Sequence, residues 1–232
     1  MLPDGTWLHP TGATYGLRRV AARTIASLAS TRAETVSPGA LPDGGTVAVA
    51  GRVEPYDAVG VVRPGGSRTP SVCCRVRVDA YPEPVSDPER RSFTDGSVAL
   101  DDVLAVPFVL ADGSDEAVVD PVPRAPSEGL EPATTVRPRA AYVTSDLRYP
   151  DEGLVAADRL RDLSERRRSW VRERTTLADD AFVRLLERRL SPGDRVRTVG
   201  HRVRHGRGDR VDRDVINVRS LRAPFRVEPY DR

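Results

Sequence analysis

Pro107-Phe-Val-Leu-Ala-Asp112-Gly113-Ser114-Asp-Glu-Ala-Val-Val-Asp120 is two short apolar runs joined by an Asp-Gly turn. Asp-Gly supplies the positive backbone angle that matches the twist of two antiparallel strands, so the stretch reads as a β-hairpin. Strand-like runs lie on both sides of it. Thr46-Val-Ala-Val-Ala-Gly-Arg-Val53 alternates with period two and carries Gly51 inside, a usual place for a bulge or a close backbone approach. In 72–80, Val72, Cys74, Val76 and Val78 share one face and Arg75, Arg77 and Asp79 the other. Late in the chain, 195–203, 215–221 and 225–227 read as strands, with a turn at 205–209.

Helical periodicity is confined to two places. Leu17, Val20, Ala21, Ile25 and Leu28 form one stripe, which predicts a short amphipathic N-terminal helix. Between 151 and 190 the pattern predicts two helices, the second carrying Phe182, Leu185, Leu186 and Leu190 on one face behind a Thr176–Asp179 capping spacing. Six prolines in 121–150 exclude a helix there and predict a long irregular connection with one strand near 140–143. The expectation is an α+β, mainly β chain: one antiparallel sheet or barrel-like domain over 41–232, with a helical insert near 151–190. Residues 1–40 form a tail with the N-terminal helix. Early and late strands are expected to meet in one domain. The hexapeptide Arg-Val-Glu-Pro-Tyr-Asp occurs twice, at 52–57 and 226–231, as if two strands left the sheet in similar ways.

The chain has 232 residues and a net charge of +2, and all 36 of its basic residues are arginine. With no lysine, Schiff-base, P-loop and lysine general-base chemistry are excluded. No apolar run approaches the ~18 residues of a membrane span, and the first residues lack the layout of a secretory signal. The only cysteines, Cys73 and Cys74, are adjacent and point to opposite faces of a strand, which predicts two buried thiols in a reducing compartment. A cytoplasmic chain is the expectation.

Few residues invite catalysis. His201 and His205 have a metal-like spacing, but in a strand four residues span ~13 Å, too far for two imidazoles on one zinc with ~2 Å bonds. Neither a nucleophile elbow nor a glycine-rich phosphate loop is present. No cofactor, metal or catalytic residue is therefore expected. Charge is uneven: 1–150 hold 15 arginines and 19 acids, 151–232 hold 21 and 15. The late arginines could follow a phosphate backbone, yet from 195 onward only Phe225 and Tyr230 could stack on bases, which makes nucleic acid the weaker reading.

Several segments in order carry a resemblance. They are Val47-Ala-Val-Ala-Gly51-Arg-Val53, Cys74-Arg75-Val-Arg-Val78, and Pro107-Phe-Val-Leu-Ala-Asp112-Gly113 with Ala117-Val-Val-Asp120-Pro121. Leu190-Ser-Pro-Gly193-Asp194-Arg-Val196 with Val199-Gly200, and Ala223-Pro224-Phe225-Arg-Val227, complete them. Together they make 41–232 resemble the GIDE, or "beside a membrane", domain of membrane-anchored RING-type E3 ubiquitin ligases and their prokaryotic relatives. Cys74 stands where relatives commonly have an aromatic residue, and Ser71 where a cysteine is often found. A RING needs about eight Cys/His ligands; two cysteines and three histidines are present.

The resemblance thus implies the recognition part of such a ligase without its RING: a non-catalytic protein-interaction module, peripheral to a membrane through its partner. Its expected partner-reading side chains are Arg75, Arg77, Arg202 and Arg204, used as forked carboxylate binders. The alternatives are an oligonucleotide-binding-like barrel and a ubiquitin transferase by family inheritance. A chain without lysine offers ubiquitin no side-chain amine, which argues against a self-modifying ligase.

Overall fold

The computed structural model describes residues 33–42, 44–57, 59–81, 97–113, 115–121, 133–136, 151–207, 210–217 and 226–230. The N-terminal helix expected over 17–28 and the strand expected near 140–143 lie outside them. The described chain is mainly β. Its strands are β1 (Thr35–Val36), β2 (Gly45–Pro55), β3 (Cys73–Tyr81), β4 (Ser97–Ala105), β5 (Phe108–Asp112) and β6 (Asp115–Asp120). They continue as β7 (Ala133–Val136), β8 (Asp151–Arg159), β9 (Phe182–Leu190), β10 (Arg195–Arg207), β11 (Arg210–Asn217) and β12 (Arg226–Pro229), with one α-helix, α1 (Glu165–Arg172).

Two sheets form where one was expected. In the first, β2 pairs with β5, β5 with β6, β6 with β11, β11 with β10 and β10 back with β2, so five strands close into a ring. β6 and β11 are parallel and the other ring pairings antiparallel. Closure leaves no open edge among these five strands. The hairpin at 107–120 is β5–β6, with Asp112 opposite Asp115, and β2 meets β10 over Gly45–Arg202 to Arg52–Arg195. The early and late strands therefore do share one sheet, as their alternation predicts.

The second sheet, ordered β7-β4-β3-β9-β8, is delivered by two insertions into the ring. β3 and β4 leave it between β2 and β5; β7, β8, α1 and β9 leave it between β6 and β10. The β3–β9 pairing, nine residues from Cys73↔Leu190 to Tyr81↔Phe182, joins the two. Strand β9 corrects the sequence reading: 182–190 is extended, not helical, and the helical insert reduces to α1. Strand β8 likewise replaces the first helix expected after 151.

The barrel core gathers Val49, Val53, Phe108, Leu110, Val119 and Ile216, and the end of the second sheet joins it through Cys73, Ala105 and Leu190. On the sheet's other face, Val76, Val78, Val183 and Leu185 pack under Leu160, Leu163 and Val171 from the α1 segment. The two hexapeptide copies flank the same strand. Arg52 lies opposite Arg195 on one side of β10, and Val227 opposite Thr198 on the other. Val53 and Val227, the equivalent valines, are both buried in the barrel core, and Pro55 and Pro229 end their strands.

Glu187 ties α1 to this frame. Fully buried, its Oε1 accepts the N–H groups of Gly66 and Ser67, both at 3.1 Å. Gly65 is required here: a Cβ at that position would overlap the indole of Trp170 on α1. Among the described residues no helix is long and apolar enough to cross a membrane.

Candidate interaction surface

Strand β3 alternates as the sequence predicts, and its two faces have different fates. Cys74, Val76 and Val78 go under α1. Arg75, Arg77, Asp79 and Tyr81 point to the opposite face, where cross-strand neighbours decide what they do. Arg75 forms a two-point fork with Asp101 on β4, Nε to Oδ1 at 2.6 Å and Nη2 to Oδ2 at 2.5 Å. One row along, Arg77 Nε donates to Asp79 Oδ1 at 2.6 Å. Asp79 lies directly opposite Arg184 on β9, whose Nη2 donates to Oδ2 at 3.1 Å.

Asp79 and Arg184 are both buried, while Arg77 keeps 43% of its side chain exposed. The Asp79 carboxylate thus couples one inner and one outer guanidinium. Burial pushes the neighbouring Tyr81 hydroxyl above its ordinary range, with Arg184 pulling the other way. Tyr81 therefore stays protonated as a neutral group beside this ion cluster.

Apolar groups frame the row. Leu154 lies across β9 from Leu186, which is opposite Arg77, and Val98 is opposite Asp79. Val98 is 51% and Leu154 36% exposed, and they are the exposed large hydrophobic residues among those described. Of these three side chains, arginine is the type enriched at protein interfaces, and the two exposed aliphatic groups add apolar area beside it.

The four arginines expected to read a partner fall into two pairs on two sheets. Arg75 and Arg77 share the β3 face. Arg202 and Arg204 belong to β10 in the barrel. Arg202 Nη1 donates to the carbonyl oxygen of Leu41 at 2.8 Å and also to that of Pro42. Arg204 lies opposite Asp214 on β11; its side chain is outside the described part. Arg75, Arg77 and Arg202 are thus each engaged within the chain, and Arg77 keeps 43% of its side chain exposed against 17% for Arg75. His201 and His205 are four residues apart along the same strand, β10.

Three charged residues at the heart of these contacts were not singled out by the sequence: Arg184, Glu187 and Arg197. Arg197, 8% exposed, donates from Nε to Thr35 Oγ1, from Nη1 to Glu228 Oε1 and from Nη2 to the carbonyl oxygen of Ala33. It holds β1 and β12 against β10 from one position. The available signal for Glu187 was the Gly65-Gly66-Ser67 run, whose adjacent backbone N–H groups invite an anion.

Comparison with protein-family models, with curated proteins and with solved structures finds no match to this chain.

Proposed function

We propose that this chain is a non-catalytic protein-interaction module, used as the recognition domain is used in the GIDE-bearing ligases that its segments resemble. The observation that carries the reading is the outer face of the second sheet. Arg77 stands there between the exposed Leu154 and Val98, on strands joined by the buried Asp79–Arg184 pair. Such a face gives a partner aliphatic area to bury and a guanidinium to pair with a carboxylate. In this proposal the partner is a protein, and attachment to a membrane is indirect, through that partner.

A photo-crosslinking residue at Leu154, and in a separate protein at the exposed barrel residue Arg52, tests the face. The reading requires a discrete protein adduct from 154 that disappears in Arg77→Ala, with none from 52. No adduct from 154, or equal adducts from both positions, would remove it. Assays for bound zinc and for discharge of a ubiquitin-charged enzyme address the ligase alternative, since either activity contradicts a non-catalytic module.

The closed ring of five strands favours a second reading, because oligonucleotide-binding folds are also five-stranded barrels with antiparallel Greek-key connections. Its test is retention on single-stranded DNA against salt. Contact with several phosphates gives affinity that falls steeply with salt, and a flat slope rejects it.

A further inference from the structure

Arg75, Arg77, Arg184 and Arg189 of the second sheet are paired with carboxylates, and among the described residues a different group of arginines is not. Arg63, Arg166 and Arg167 bring their guanidiniums to backbone carbonyls of the loop 63–70, from sites about a hundred residues apart, and the exposed Arg68 lies on that same loop. Arg166 Nη2 and Arg167 Nε both donate to the single carbonyl oxygen of Gly66, at 2.9 and 3.2 Å. Arg63 Nη1 donates to the carbonyl oxygen of Arg68 at 3.3 Å. Among the described residues none of these four makes an ion pair, not even with Glu165 beside Arg166.

Two guanidiniums on one oxygen repel each other unless an anion lies between them. The carboxylate at this loop, Glu187, is turned inward to the Gly66 and Ser67 N–H groups and is fully buried. Arg63, Arg68 and Arg166 are exposed. Arg68 also holds a left-handed backbone angle, φ 62°, the one non-glycine residue among those described to do so.

We propose that residues 63–70 and the start of α1 form a docking site for an acidic protein segment, gripped by Arg63, Arg68, Arg166 and Arg167. This rests on the protein-interaction reading and names a second contact for it. Charge complementarity sets the partner's chemistry: adjacent Asp or Glu side chains, each taken by a planar fork. A single-stranded nucleic acid fits less well, because it needs an open aromatic face. The aromatic at this loop, Trp170, is packed against Gly65, and the Arg174 guanidinium lies 4.7 Å from its ring centroid.

The test is fluorescence anisotropy with a labelled hexaglutamate peptide at low salt. Expected is saturable binding, weakened at least tenfold in both Arg63→Ala/Arg68→Ala and Arg166→Gln/Arg167→Gln. The control Arg52→Ala/Arg195→Ala, which removes two exposed arginines of the barrel, should bind as the parent does. The glutamine variants keep most of the packed stems, and thermal melting separates lost folding from lost binding. No peptide binding by the parent, an equal loss in the control, or tighter binding of duplex DNA than of peptide would overturn the proposal. If the peptide fails while adducts from Leu154 persist, this site falls and the module reading stands.

Discussion

The carboxylate of Glu187 and the backbone N–H of Gly66 meet at 3.1 Å across 121 residues of sequence, inside the second sheet. That bond joins the loop from the first insertion to a strand of the second. Removing the side chain leaves the N–H groups of Gly66 and Ser67 without their acceptor and opens a cavity beside Leu185. Glu187→Ala is expected to cost about 3 kcal/mol, the size typical of breaking a buried charged hydrogen-bond set. Glu187→Gln keeps one acceptor oxygen and should cost less than half of that. Urea unfolding of the three proteins checks the order; equal losses for Ala and Gln would show that the acceptor does not matter.

The Asp79–Arg184 pair makes a complementary prediction. Both side chains are buried, so Asp79→Ala removes the carboxylate facing the Arg184 guanidinium and should cost about 3 kcal/mol. Replacing both partners with apolar residues, Asp79→Leu with Arg184→Met, removes both charges. The double variant is expected to be within about 1 kcal/mol of the parent. A double-mutant cycle measures this, and additive losses would mean that the pair is not coupled.

These two sites also explain which parts of the fold the sequence makes legible. β2 and β3 alternate over faces whose surroundings differ, and in the β5–β6 hairpin two apolar runs flank the Asp112-Gly113 turn, so period and turn chemistry are both readable. Strand β9 misleads because it is a central strand. Phe182, Leu185, Leu186 and Leu190 fit a helical stripe, while Arg184 and Glu187 look like solvent-facing charges. In the fold both charges are buried; Asp79 accepts from Arg184, and the 66–67 backbone donates to Glu187, contacts more than a hundred residues away in sequence. The same limit applies to the arginines. Residue type identifies forked carboxylate binders, yet only the fold decides that Arg75 already has Asp101 and that Arg166 and Arg167 make no ion pair among the described residues.

Arg197 is placed to control the strands at both ends of the described chain. Its three donors reach Ala33, Thr35 and Glu228, so Arg197→Ala releases β1 and β12 together while β10 keeps its ladder with β2. Hydrogen exchange should show faster exchange in 33–42 and 226–230 and little change in β5. A lysine at 197 cannot reproduce the fork and should rescue only part of the protection. Uniform acceleration through the barrel would instead identify Arg197 as a global core residue.

Thr198 sits on β10 opposite Val49, fully buried, and its Oγ1 has no hydrogen-bond partner among the described residues. Thr198→Val replaces the hydroxyl with a methyl of nearly the same shape and removes an unsatisfied polar atom. The variant is expected to gain about 1 kcal/mol, read as a higher Tm at unchanged far-UV circular dichroism. A loss would show that the hydroxyl is satisfied in solution.

Asp102 supplies the pH dependence. It lies opposite Val76 on β4, and burial raises its carboxyl above the ordinary 3.8, with Arg174 opposing and Asp101 adding to the rise. The folded chain therefore holds this proton more tightly than the unfolded chain. The stability it contributes is present below the unfolded value and is lost as pH rises from there through the folded one. At neutral pH the half-buried charge is a residual cost that Asp102→Asn removes. The variant's Tm should match or exceed the parent's at about pH 7, and that advantage should shrink as pH falls toward about pH 3. An advantage that grows on acidification would mean that Arg174, not desolvation, governs this carboxyl.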